Sequence, residues 1–155
     1  MIKNVFLSIL LSFVFCLSSC QNSSKSSLYD GSGGTAVPGS QQDLNTSAGN
    51  FVLFKLSSNQ LDDNAIETLK KQVDWLKRYR YINIIVEGHC DERGTREFNL
   101  ALGARRANIV RDYLVNSGID SARITTISYG KERPTVLGSG MEVWRQNRRA
   151  NVIIR

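Results

Sequence analysis

In "YINIIVEG", residues 81–88, the apolar side chains alternate as Ile82, Ile84 and Val86, whereas on either side they recur every third or fourth residue. Ile66, Leu69, Val73 and Leu76 come before it, and Leu100, Gly103, Ala107, Val110 and Leu114 after it. A period of two buries one face of a strand, and a period near 3.6 buries one stripe of a helix. The chain is therefore committed to alternating strands and helices. "NFVLFKL" (50–56), "RITTISYG" (123–130) and "RANVIIR" (149–155) read as further strands, the last through the alternation of Ala150, Val152 and Ile154. Asn116-Ser117-Gly118 stops the second helix, and a short helix spans Met141 to Arg148. The order strand, helix, strand, helix, strand, short helix, strand predicts an α/β domain, βαβαβ(α)β, with helices packed on a mixed four-stranded sheet. The apolar character of both faces of 81–88 makes it a central strand. Gly103 and Ala107 let their helix lie close to the sheet, and Lys70, Lys71, Lys77, Arg78 and Arg80 form a solvated basic face.

This domain occupies residues 50–155. Ahead of it, Val5 to Leu17 is an almost unbroken apolar run behind Lys3, shorter than the ~20 residues of a membrane-spanning helix. It reads as an export signal over residues 1–19. Leu17-Ser18-Ser19-Cys20 resembles the bacterial lipobox, which implies that Cys20 becomes the mature N-terminus, carries lipid on its sulfur and is acylated on its amine. Gln21, where an Asp would signal inner-membrane retention, implies an outer-membrane address. Residues 20–49 are the lipidated terminus followed by a stretch rich in Ser, Gly, Gln and Asn, which reads as a flexible tether of mean reach about 30 Å. With Cys16 removed and Cys20 lipidated, Cys90 is the mature chain's one thiol, so no disulfide forms within it. The formal net charge of +6 suits an anionic wall polymer or lipid, and export excludes nucleic acid as a partner.

"GHCDERG", residues 88–94, gathers the one histidine with Cys90, Asp91, Glu92 and Arg93 between two glycines. A metal centre needs three or four converging ligands, and adjacent residues of a strand point to opposite faces. His89 and Cys90 therefore make neither a metal site nor a nucleophile–base pair, and no cofactor is expected. Asp91 and Glu92 are too close in sequence to flank a substrate as hydrolytic carboxylates do. Asp91 follows the central strand, where open α/β sheets place ligand groups. Arg106 lies on the next helix, with Asn99 seven residues earlier on the same stripe. An acid and a guanidinium across a cleft suit a zwitterion, the carboxylate taking an ammonium and the Arg forking onto a carboxylate. They suit a structural ion pair equally.

"VEGHCDERGTREFNLALGARRANIVRDYLVNSGI", "ISYGKERP" and "NRRANVII" resemble the peptidoglycan-binding domain shared by outer-membrane protein A and the peptidoglycan-associated lipoproteins. The resemblance runs over residues ~50 to 155, and the lipobox and tether complete the layout of the lipoproteins. It implies a non-enzymatic outer-membrane lipoprotein, facing the periplasm, that ties the membrane to the wall. Asp91 and Arg106 would grip the free amino-acid end of meso-diaminopimelate. Asn99, the backbone of Leu102 and Arg149, taken from the run Asn147-Arg148-Arg149, would shape the pocket, and His89 would hold the loop by hydrogen bonds. The resemblance also implies partnership with TolB and other Tol proteins. The alternative is a wall-binding lipoprotein or surface adhesin outside the Tol system. Lys55 departs from the family's pattern, which has an acid or amide there.

Overall fold

The computed structural model of the chain describes residues 36–155. The signal segment, Cys20 and tether residues 21–35 lie outside the described residues. Helix α1 (Gln41–Ser47) is followed by β1 (Phe51–Leu53), α2 (Asp63–Arg78), β2 (Ile84–His89), α3 (Arg96–Asn116), a single 3-10 turn (Ser121–Arg123), β3 (Ile124–Gly130), α4 (Met141–Asn147) and β4 (Arg149–Ile154). The sheet order is β1-β4-β2-β3; β4 runs antiparallel to both its neighbours, and β2 and β3 are parallel. A parallel pair needs a crossover, which α3 supplies. The α/β fold and the mixed four-stranded sheet read from the sequence are both present.

Local chemistry explains the helices. Asp62 caps α2 by accepting from the Ala65 N–H at 3.0 Å, and Thr95 caps α3 by accepting from Phe98 N–H at 3.2 Å. Helix α3 ends where Gly118 adopts a positive φ of 93° and the Ile119 N–H turns back to the Leu114 carbonyl at 3.1 Å. The stripe Ala65, Leu69, Val73 and Leu76 of α2 meets Val52, Ile84, Val86, Ala150 and Val152 of the sheet, and Ala107, Val110 and Leu114 of α3 complete one core.

Two expectations are corrected. The tether does not extend to residue 49: Ser40 caps a helix by accepting from Asp43 N–H at 3.2 Å, and Leu44 and Ala48 are buried in the core. Gln41 closes the end of β4, donating to the Val152 carbonyl at 3.2 Å and accepting from Ile154 N–H at 2.8 Å. In α3, Leu100 is exposed and Leu102 is buried, because the inward face also carries Asn99 and Arg106.

Candidate functional site

Strand β2 delivers His89 and Cys90 to the end of the sheet, and the chain then loops to Thr95. The loop is pinned from three sides. Cys90 N–H donates to the Gly130 carbonyl at 2.7 Å, Lys131 Nζ donates to the carbonyls of Glu92 and Gly94 at 3.2 and 2.7 Å, and Asn99 Nδ2 donates to the Arg93 carbonyl at 2.7 Å. Below it opens a cleft of about 130 Å³ lined by Asp91, Arg93, Asn99, Leu102, Arg106 and Arg148, with Leu56, Ser57 and Phe98 at its rim. Ser57 has a positive φ of 52°, a backbone state that costs a non-glycine residue free energy and recurs at binding sites.

The cleft brings together four of the five pocket residues expected from sequence. Arg106 is the deepest, at 0 % exposure. Its Nε donates to the Ser58 carbonyl at 2.9 Å, NH1 to the His89 carbonyl at 2.7 Å and to Cys90 Sγ at 3.4 Å, and NH2 to the Lys55 carbonyl at 3.2 Å. Four of the five guanidinium N–H groups are thereby spent on the protein. One remains for a ligand, so the expected two-pronged fork is not available. Burial pulls the Arg106 pKa down from its usual value, yet a guanidinium stays charged in proteins. Among the described residues, no carboxylate lies within ion-pairing distance of Arg106. The structural Asp91–Arg106 pair is therefore absent.

Asp91 is paired instead with two other arginines. Arg93 Nε and its backbone N–H donate to Oδ1 at 3.1 and 3.2 Å, while Arg93 NH2 and Arg148 NH1 donate to Oδ2 at 2.6 and 3.3 Å. Burial by itself would raise the carboxyl's pKa, but the Arg93 donors and then Arg148 outweigh it and hold Asp91 below the usual carboxylate range. Glu92 turns away, accepting from Ser139 Oγ at 2.7 Å and Trp144 Nε1 at 2.9 Å. The two acids do not face a common substrate.

Three further assignments are corrected. Arg149 is not at the cleft: its side chain donates to the Arg133 carbonyl at 3.3 Å and lies 5.8 Å from the Phe51 ring. Alternation along β4 sends Arg149 to the opposite side from its neighbour, and Arg148 reaches Asp91. His89 does not hold the loop by side-chain hydrogen bonds: both ring nitrogens are buried without a hydrogen-bond partner among the described residues, and Nε2 stands 3.5 Å from Glu87 Oε2 on its own strand. The ring stacks on Tyr129 at 5.6 Å, and only the His89 carbonyl serves the site. Lys55 lines an adjoining groove with Phe51, Leu53 and Arg145 rather than the cleft, to which it contributes only the carbonyl that Arg106 binds. Arg93 escaped the sequence reading, where its one signal was a cation two residues from Asp91, and of the run Asn147-Arg148-Arg149 it is Arg148 that reaches the cleft. Cys90 is a buried space-filler, its thiol 3.3 Å from the Asn99 carbonyl and pushed up in pKa by burial.

Comparison with known proteins gives a consistent set of matches. The model of the OmpA family matches residues 53–148. The peptidoglycan-associated lipoprotein of Agrobacterium fabrum is 44% identical over 151 residues, covering 94% of this chain and 85% of the relative. That of Mesorhizobium japonicum is 51% identical over 117 residues, covering 76% and 70%. The crystal structure of the peptidoglycan-associated lipoprotein from Burkholderia pseudomallei superimposes with a TM-score of 0.66 at 38% identity, covering 68% of this chain and 90% of that one. The C-terminal domain of Helicobacter pylori MotB, with a TM-score of 0.64 at 18% identity over 68% of this chain and 84% of that one, shares the fold.

Proposed function

The chain belongs to the OmpA family, in its branch of peptidoglycan-associated lipoproteins, and from that premise we propose that it binds the wall by gripping the free amino-acid end of meso-diaminopimelate in a stem peptide. The observation that carries this is Arg106: a fully buried cation at the foot of a cleft, held by carbonyls and with no carboxylate partner among the described residues. A buried charge left unpaired is costly, and an incoming carboxylate relieves that cost through the guanidinium's remaining N–H. Asp91, 5 % exposed on the same cleft, complements the ligand's ammonium. Asn99 and Leu102 set the distance between the two by holding the loop and the cleft floor. Binding of this kind breaks no bond, and the divergent aim of Asp91 and Glu92 supports a module that holds its ligand without catalysis.

In the same proposal acylated Cys20 fixes the chain to the outer membrane and the residues before α1 span the gap to the wall, so that the protein ties one to the other. TolB and other Tol proteins are its proposed protein partners. Incorporation of labelled palmitate at Cys20 and co-purification of TolB with the full chain check these two parts.

Arg106 also supports the wall of its own cleft, so the decisive test changes the ligand and leaves the protein intact. Purified stem peptides carrying meso-diaminopimelate are compared with the same peptides amidated at the free carboxylate. Amidation strands the buried Arg106 charge, a loss of about 2–5 kcal/mol for a desolvated charge pair, and binding measured by calorimetry should weaken at least about 30-fold. Equal affinity for the two peptides would remove Arg106 from the ligand and defeat the proposal.

A further inference from the structure

The two halves of the cleft are not in the same condition. Among the described residues Arg106 has no counter-ion, whereas every acceptor position of Asp91 is taken: a carboxylate offers about four, and Arg93 fills three while Arg148 fills the fourth. An ammonium reaches Asp91 only if one of these donors leaves. We infer that the Arg93 guanidinium is a stand-in for the ligand's ammonium, displaced on binding, and that it sets the cleft's selectivity for a zwitterionic end over a simple amine. The inference rests on the diaminopimelate reading above and names the residue that governs its cationic half.

Exposure decides which arginine leaves. In the two ion pairs the Asp91 side chain is 6% exposed, Arg148 10% and Arg93 34%. Arg148 is also anchored by its Nε to the buried Phe54 carbonyl at 3.0 Å. Arg93 has open solvent on one side, and its guanidinium already stands 4.0 Å from the centre of the Trp144 ring, which Glu92 holds in place. A guanidinium leaving Asp91 therefore keeps a cation–π partner. Its backbone carbonyl stays fixed by Asn99, so the exchange is a rotation of one side chain and leaves the loop in place.

Selectivity follows from the exchange. An amine that displaces Arg93 replaces one cation on Asp91 with another, and gains little. A ligand that brings a carboxylate to the unpaired Arg106 at the same moment gains a new pair as well. Without a ligand, the stand-in fills the acceptor positions of a buried carboxylate that Arg148 alone leaves open.

The test uses the full chain in detergent micelles, wild type and Arg93→Met, which keeps an apolar stem against Trp144 and removes the donors. Calorimetry is run with meso-diaminopimelate and with cadaverine, a diamine lacking carboxylates. A pair open in about a tenth of molecules weakens apparent affinity about 10-fold. Arg93→Met should therefore bind diaminopimelate about 10-fold more tightly and bind cadaverine detectably where wild type does not, while its melting temperature falls. A purely structural Arg93 would lower stability and leave affinity per folded molecule equal or weaker, which overturns the inference. In wild type, the Arg93 Nε–H, which donates to Asp91 at 3.1 Å, should exchange faster in NMR on saturation with diaminopimelate; an exchange rate unchanged in the saturated complex also overturns it. Binding of cadaverine alone by Arg93→Met would uphold the stand-in and reject diaminopimelate as the ligand. Binding of neither ligand by either protein rejects both.

Discussion

A buried imidazole without a hydrogen-bond partner makes stability depend on pH, and His89 is in that position. Burial first, and then the charge of Arg149, lower its pKa from the ordinary 6.5 to about 4. Between those values the unfolded chain binds a proton that the folded chain does not, so stability falls as pH drops. From pH 7 to pH 5 the loss attributable to His89 is about 2 kcal/mol. Thermal melts over that range should show it, and His89→Phe, which keeps a ring against Tyr129, should flatten the slope; a slope unchanged in the variant would locate the titrating group elsewhere. The sequence placed His89 and Cys90 on opposite faces, and they are: the ring meets Tyr129 while Sγ meets Arg106 and the Asn99 carbonyl. It was silent on whether the imidazole would find a partner, because that depends on Tyr129, Arg133 and Arg149, brought to it by β3, the segment after it and β4.

At the scale of elements, the fit of α3 on the sheet depends on two glycines. A Cβ at Gly88 of β2 would run into the Gly103 carbonyl, and one at Gly103 would run into Ser128 Oγ and the Gly88 carbonyl. At Gly88 the clash is backbone against backbone, which leaves no side chain to yield. Gly88→Ala should therefore push α3 off β2 at a cost of about 3 kcal/mol, the upper end of ordinary overpacking, read as a fall in denaturation midpoint with peptidoglycan binding lost in parallel. A midpoint unchanged from wild type would show that the helix can shift without cost. Gly103 was legible as a close-packing residue because it interrupts a run of larger side chains on a helix. The inward register of α3 was less so: counting apolar positions selected Leu100, while the true face runs through Asn99, Leu102, Gly103, Arg106 and Val110. Two polar residues serve the cleft from the buried face, and their polarity erases the amphipathic pattern that marks α2.

For the whole molecule, the folded unit begins earlier than its apolar periodicity announces. Helix α1 adds buried Leu44, and Asp43 accepts from Trp75 Nε1 at 3.1 Å. Leu44→Ala should cost about 2–4 kcal/mol, and a fragment of residues 50–155 should melt well below one of residues 36–155; equal melting would return α1 to the tether. The signal was present in Ser40 and Asp43, spaced as a cap and its reciprocal partner, but one apolar residue per turn is too little for a periodicity to register. By itself the sequence determined the succession of strands and helices and the placement of Asp91, Asn99 and Arg106 around one cleft, because each is written in residues close together in the chain. Tertiary structure alone decided which charges meet. Asp91 pairs with Arg93 and Arg148, Arg106 is left without a counter-ion among the described residues, and Arg149 faces away. Those outcomes turn on distances of a few ångströms between segments up to 57 residues apart, and on a strand alternation in which a shift of one residue exchanges Arg148 for Arg149.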